Sequence, residues 1–315
     1  MSAVLIRDIA PRLAFQAHPV ETTVKVELVD RLTAAGIRAV EVSSFVSPKL
    51  VPGVADAADV FARVKRPAGS SMECCVANMK GLERAIDAGA DVAWFLLAVD
   101  DGFSRLNTGR GIEESLVELE RMRAVAQRSA TKLGSYFIHA FGGPVGLARV
   151  PSDLQSLAER LLAIDVRDWI LADSNGYAGP SQMRSTVEWA SGLVGTERLK
   201  VQVHDSRGMG LANVAELARM GFAGIDLALA GSGGHPAAPH ALVGGTCTED
   251  AVQMLELMGV ETGVDLPALV DAANWLAGVL GGAMGFVRHT KPVPMSKNTA
   301  TSTAPAAWAR TGETA

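Results

Sequence analysis

The alternation of strand-like and helix-like segments constrains the fold of this 315-residue chain more than any other feature. Short apolar segments alternate with longer amphipathic segments eight times between residues 4 and 258. Parallel strands need such crossover helices, because their connections span a dozen or more residues. Eight repeats over about 255 residues suit a (β/α)8 barrel better than an open doubly wound sheet, which usually has fewer strands. The sequence therefore predicts an α/β fold, a TIM barrel.

The predicted strands cover residues 4–9, 39–43, 71–76, 92–99, 133–141, 169–173, 199–204 and 224–230. The predicted helices include residues 21–35, 80–88, 112–128, 153–163, 182–194, 210–220 and 248–258. An extra C-terminal helix, 266–280, is expected to pack across the barrel. Residues 1–290 then form a single catalytic domain. Residues 291–315 are rich in Thr, Ala and Pro without periodicity, which predicts a mobile tail.

Charge and composition exclude several classes of partner. The net charge is -5 and no run of Lys or Arg exceeds two, so nucleic acid and anionic membranes are not expected to bind. No segment reaches the roughly 18 apolar residues of a membrane helix, and no signal-peptide pattern opens the chain. Three cysteines, two of them adjacent, indicate a reducing compartment. We expect a cytoplasmic protein that binds a small molecule, with a homodimer left open.

Polar residues follow the predicted strands on one rim of the barrel. Active sites of this fold lie at the C-terminal ends of the strands. A single histidine at a strand end is most often structural, but here polar groups converge from all eight strands. They are Arg12, Glu41, Asn78, Asp100, His139, Asp173, Asn175, His204, Asp205, Asp226 and His235. This convergence favours a catalytic rim.

Residues 40–56 (VEVSSFVSPKLVPGVAD) resemble the second-strand segment of 3-hydroxy-3-methylglutaryl-CoA lyases. The resemblance continues, in the family's order, through residues 77–81, 103–107, 172–176, 203–208, 248–250 and 262–266. These enzymes are barrel lyases that break a C–C bond beside a thioester. The resemblance implies a (β/α)8 barrel with an acyl-CoA above the rim, and substrate contacts from Gln16, Asn78, Ser104, Asn107 and His139.

The resemblance also implies a divalent cation, Mg or Mn, but this chain keeps few of the residues that bind it in the family. Its ligands are an acid after the conserved first-strand Arg, both histidines of a His-x-His on the seventh strand, and an Asn after the eighth. Here Arg12 matches the Arg, whereas Leu13 occupies the position of the acid. Gln202 replaces the first His, His204 keeps the second, and Gly245 stands at the Asn. His204 is thus the one retained metal ligand, and whether a metal is needed is left open.

At two further positions, where the family has cysteines, this chain has a different residue. The family carries an acid/base Cys in a glycine-rich loop, and His235 stands at that position. His139 occupies the position of a second family Cys in the fifth strand. Substitutions therefore cluster at reactive positions while the scaffold motifs stay close to the family.

Retro-Claisen cleavage of a 3-hydroxyacyl thioester needs a base, a cation for the enolate, and an acid. Arg12 is expected to hold the enolate as a permanent two-donor cation. His204 or His235 would exchange the proton, since imidazole titrates near neutral pH. Glu41 and Asp173 would orient these groups or act as the base. A purely structural role for Glu41, as a buried partner of Arg12, has equal weight.

Other interpretations stay open at this stage. A rearranged metal site could use His204, His139 and His235 with Asp173 or Glu41, a ligand set that suits zinc or iron. The leading hypothesis is a lyase that cleaves a 3-hydroxyacyl-CoA or related organic acid, with altered or lost metal dependence. The alternatives are a catalytically silent barrel that binds a CoA ester or organic acid, and a hydrolase that uses one of the rim histidines.

Overall fold

The computed structural model describes residues 4–143, 146–148, 152–222, 224–233, 244–282, 284–290 and 292–293. Within them, eight parallel strands close into a barrel in sequence order, since the first strand also pairs with the last. The strands are β1 Leu5–Asp8, β2 Ala39–Ser44, β3 Ser71–Val76, β4 Val92–Phe95, β5 Lys132–Ile138, β6 Trp169–Ala172, β7 Leu199–Gln202 and β8 Gly224–Leu227. The predicted (β/α)8 barrel is confirmed.

Helices surround the barrel, and several begin directly after a strand. They are α1 Ala10–Phe15, α2 Thr22–Ala34, α3 Ala57–Arg63, α4 Met79–Asp87, α5 Asp101–Thr108, α6 Ile112–Ala126, α7 Gln155–Ala163, α8 Pro180–Val194, α9 Gly210–Arg219, α10 Thr248–Leu257, α11 Leu266–Leu280 and α12 Val287–Thr290. The extra C-terminal helix is α11, and it packs against α2 and α10. A two-stranded hairpin pairs Gly142–Gly143 with Gly146–Leu147 after β5.

The structure corrects some predicted ends. β4 stops at Phe95 and β5 at Ile138, short of the predicted 99 and 141. The apolar run continues past β4 because Leu97 and Ala98 are buried and still bond to β5, Ala98 through an isolated bridge to Ile138. Helix α1 was not predicted, since Pro11 reads as a helix breaker. A proline in the first helical turn removes no intrahelical hydrogen bond, so α1 forms around it.

Strand alternation separates two apolar layers. Cys74 packs in the large core between barrel and helices, whereas Cys75 lies in a cluster inside the barrel. We call this second group the interior cluster; it contains Cys75, Trp94, Tyr136, Ile170 and Ala172. Its members come from β3 to β6 and fill half of the barrel. The remaining strands contribute charged side chains to the interior, and these side chains build the site.

Two predictions about the chain as a whole have different outcomes. No helix among the described residues is long and apolar enough to span a membrane. The predicted tail, 291–315, lies outside the described residues apart from Pro292 and Val293. Both the tail and the division at residue 290 stay predictions.

Gly134 of β5 tests the packing of the interior cluster. A Cβ there would lie 2.3 Å from the Trp94 ring and 2.8 Å from the Asp168 carbonyl oxygen, so Gly134→Ala must displace one of them. Such overpacking should lower the free energy of unfolding by about 1–3 kcal/mol in urea denaturation. Gly192→Ala in α8 is the matched control, because nothing lies within 4 Å of its Cβ position. It should raise stability by about 0.5–1 kcal/mol through helix propensity. Equal effects would contradict this packing.

Candidate active site

A fully buried arginine lies inside the barrel. Arg7 occupies an inward position of β1, and its side chain has no exposure. Its Nε donates to Glu73 at 2.6 Å and its Nη2 to Glu41 at 2.5 Å. Its Nη1 donates to Asp226 and, at 3.4 Å, to the Tyr136 hydroxyl. One guanidinium therefore ties together side chains from five strands.

Glu41 connects this buried group to the rim. Besides Arg7, its carboxylate accepts hydrogen bonds from Arg12 Nε at 2.5 Å, Tyr136 Oη at 2.8 Å and Cys75 Sγ at 3.2 Å. Burial disfavours its charge, but Arg12 and Arg7 outweigh this and lower the pKa of Glu41 to about 2. At neutral pH Glu41 is ionised and orients Arg12. This agrees with the hypothesis that Glu41 is a buried partner of Arg12.

The buried group holds more negative than positive charge. Three carboxylates, Glu41, Glu73 and Asp226, surround two guanidiniums. Burial raises the pKa of Asp226 to about 7, against the lowering effect of Arg7 and with Glu41 adding to the rise. Asp226 Oδ1 also has no hydrogen-bond partner among the described residues. The surplus carboxyl group is therefore Asp226, which holds a proton most readily.

Arg12 carries the positive charge to the mouth of the barrel. It lies in α1, directly after β1, and 11% of its side chain is exposed. Only its Nε is bonded to protein, since Nη1 and Nη2 make no hydrogen bond to any described residue. A guanidinium held on one side and open on the other is suited to bind an oxyanion with two donors.

His204 follows β7 and is buried beside Arg12. Burial and then the charge of Arg12 lower its pKa to about 4, while a hydrogen bond to the Asp173 backbone opposes them. Its Nδ1 is buried and has no hydrogen-bond partner in the part of the chain that the structure describes. At neutral pH the ring is therefore uncharged.

Asp173 is placed differently from the sequence hypothesis. Its carboxylate accepts the amides of Tyr177 at 2.8 Å and Ala178 at 3.3 Å, which closes the turn after β6. Burial raises its pKa to about 6, and these amides act in the opposite direction. The position of Asp173 is thus fixed by the loop backbone, and its contact with His204 is made through its own backbone.

The residues predicted to contact the substrate have different local roles in the structure. Asn78 caps α4 by accepting the Gly81 amide at 2.9 Å. Ser104 and Asn107 lie in α5, where Ser104 is buried. The His139 ring packs on Phe103 with centroids 4.3 Å apart, and its backbone φ is 67°. Gln16 forms the C-cap of α1, four residues beyond Arg12. His235 lies outside the described residues.

Two residues at the expected cation site cannot ligate a metal. Leu13 is apolar and packs in the core with 5% exposure. A Cβ at Gly245 would lie 2.5 Å from the Ala228 Cβ, so this backbone accepts no ligand side chain there. Across the described ranges, no three His, Cys, Asp or Glu side chains form a group that could hold a metal ion. The family cation does not fit these residues. The rearranged site includes His235, which lies outside the described residues, so it stays a hypothesis.

Sequence reasoning missed the lower part of this site. Arg7, Glu73 and Tyr136 lie inside strands, below the ends on which the search concentrated. A signal was present, because Arg7 and Glu73 are charged residues within short strands that the fold buries. A charge in such a position must find a buried partner. Which carboxylate pairs with which arginine depends on barrel closure, and closure is a property of the whole fold.

The sequence profile described as HMGL-like matches residues 8–276, most of the chain, including strands β2 to β8. The chain belongs to the HMGL-like family. It is 35% identical to the (R)-citramalyl-CoA lyase of Chloroflexus aurantiacus, over 89% of this chain and 92% of that protein. It is 31% identical to the hydroxymethylglutaryl-CoA lyase YngG of Bacillus subtilis, over 88% and 93% of the two chains.

Solved structures agree with the sequence relatives. The HMG-CoA lyase of Acinetobacter baumannii, solved in complex with coenzyme A and 3-methylmalate, superposes with a TM-score of 0.86. The two proteins are 30% identical, and the match covers 93% of this chain and 98% of that one. The predicted family is confirmed. The HMGL-like relatives are carbon–carbon lyases, which confirms the predicted enzyme class.

Arg7→Met tests the buried charge group. The change removes the shared cation and leaves Glu41, Glu73 and Asp226 close together without it. The free energy of unfolding at pH 7 should fall by about 3–5 kcal/mol in urea denaturation, the scale of a broken buried ion pair. Arg105→Met is the control, because Arg105 makes only exposed pairs with Asp101 and Glu114. A stable Arg7→Met protein would mean that Arg7 is not needed for these carboxylates.

Proposed function

We propose that this protein cleaves the C2–C3 bond of a 3-hydroxyacyl-CoA without the divalent cation of its family. The observation that carries the proposal is Arg12, which ionised Glu41 holds through Nε while both Nη groups stay open beside neutral His204. A permanent cation and an uncharged base thus share the mouth of the barrel. Retro-Claisen cleavage needs this pair.

The proposed reaction begins with proton transfer from the substrate hydroxyl to the neutral imidazole of His204. The C2–C3 bond then breaks, and its electron pair forms the thioester enolate while the C3 oxygen becomes a carbonyl. Arg12 stabilises the enolate oxygen with its two Nη donors. An acid returns a proton to C2, the role expected of His235. One substrate gives one acyl-CoA and one carbonyl compound, so no further reactant is required.

The substrate class follows from the relatives. One relative is named for (R)-citramalyl-CoA, and the Acinetobacter baumannii structure contains coenzyme A with 3-methylmalate. Both acids are short, branched hydroxy diacids. We therefore assign this protein the CoA ester of a branched 3-hydroxy diacid. The homodimer and the cytoplasmic location expected from the sequence remain predictions.

Loss of cation dependence is supported by three residues. Leu13 cannot ligate a metal, Gln202 offers a neutral amide in place of an imidazole, and Gly245 has no room for a side chain.

A CoA-ester panel tests the function. Purified protein is incubated with 3-hydroxyacyl-CoA esters before and after EDTA treatment, and the products are followed by chromatography. Formation of a shorter acyl-CoA and a carbonyl compound, unchanged by EDTA, is the expected result. Free CoA with an intact acid would indicate a hydrolase, and binding without turnover a silent barrel. Activity restored only by added Mg or Mn would overturn the cation-independent mechanism.

Arg12→Lys tests the role of the guanidinium. An ammonium group keeps the charge but cannot bond Glu41 and also present two aligned donors. The value of kcat/KM should fall on the order of 100-fold or more, the scale of a lost oxyanion donor. Arg31→Lys on α2 is the matched control, since Arg31 pairs with Glu27 on the surface. An Arg12→Lys enzyme with unchanged turnover would remove Arg12 from the mechanism.

A further inference from the structure

Gln202 points into the barrel beside the groups described above. It ends β7, where it pairs with Ala172 on one side and Asp226 on the other. Ala172 belongs to the interior cluster, and Asp226 contacts Arg7. Since paired residues of a parallel sheet face the same side, Gln202 faces the interior as well. His204 follows two residues later, so it continues the same inward row.

The side-chain amide of Gln202 makes no hydrogen bond to any described residue. Only 5% of the residue is exposed, but its amide is not sealed off and reaches accessible space inside the barrel. Asp226 Oδ1 on the adjacent strand also has no partner among the described residues, and Gln202 does not bond to it. The described fold therefore leaves the amide of Gln202 open to bond to a bound molecule.

The interior cluster next to Gln202 is apolar, so a leucine or methionine could extend it there. An amide instead presents a hydrogen-bond donor to the interior, and a substrate oxygen can accept from it. The groups on either side already serve other atoms in the proposed reaction, since Arg12 holds the thioester oxygen and His204 accepts the hydroxyl proton.

We propose that Gln202 is a specificity-determining residue whose side-chain NH2 donates a hydrogen bond to the C3 oxygen of the hydroxy acid. The proposal rests on the proposed function, since it assigns one more residue to the same site. A neutral amide can keep this bond as the oxygen changes from hydroxyl to carbonyl. It also favours hydroxy acids over acids that lack the oxygen.

The test measures binding without turnover. The full chain, saturated with coenzyme A, is titrated calorimetrically with 3-methylmalate and with methylsuccinate, which differ by the hydroxyl group. Wild-type protein should bind the hydroxy acid about tenfold more tightly, the scale of one net hydrogen bond. Gln202→Met should lose this preference and keep its affinity for methylsuccinate. Gln127→Met, an exposed position, is the control.

The outcomes separate this proposal from the proposed function. A Gln202→Met protein that keeps the preference, or a wild-type protein that shows none, overturns the role of Gln202. Binding of neither acid overturns both proposals. A preference that depends on Gln202 in a protein that cleaves no CoA ester supports Gln202 and refutes the lyase reaction. A fall of several degrees in the Tm of Gln202→Met would show a structural role instead.

Discussion

The carboxylate of Glu41 accepts hydrogen bonds from both guanidiniums inside the barrel, and the arrangement of the site depends on it. Arg7 holds it from below, and its other oxygen fixes Arg12 at the mouth. Tyr136 and Cys75 complete its shell of donors. Because its pKa is lowered to about 2, it stays charged over the whole range in which proteins are usually stable. Arg12 therefore has a fixed anionic partner, and its open donors point in a constant direction.

Most of the fold could be read from the sequence because each strand and helix carries its own periodicity. All eight strands and the extra helix were found, and errors occurred at ends such as that of β4, where buried apolar residues continue beyond the ladder. The rim residues Arg12 and His204 were found because a barrel places strand ends together. The bonds of Glu41 with Arg7 and Tyr136 could not be found. They join residues up to 95 positions apart and depend on the stagger of strands around the closed barrel.

The departures from the family form a consistent chemical set. An apolar side chain, a neutral amide and a glycine stand where the family would hold a cation, while the scaffold motifs around them persist. The charge needed for an enolate is still present, since Arg12 remains at the mouth. In the proposed mechanism, the barrel offers an oxyanion site built from side chains, next to an imidazole kept neutral by burial and by the charge of Arg12.

The charged side chains inside the barrel limit which single substitutions this site tolerates. Arg7 is shared by three carboxylates from three strands, so a replacement at any of the four positions leaves the others unbalanced and must await a second change. The side chain of Gln202 makes no hydrogen bond or ion pair with the described residues around it. A single substitution is therefore tolerated more easily at Gln202 than in the buried group around Arg7. The substrate preference can change at Gln202 while Glu41 still holds Arg12 in the same orientation.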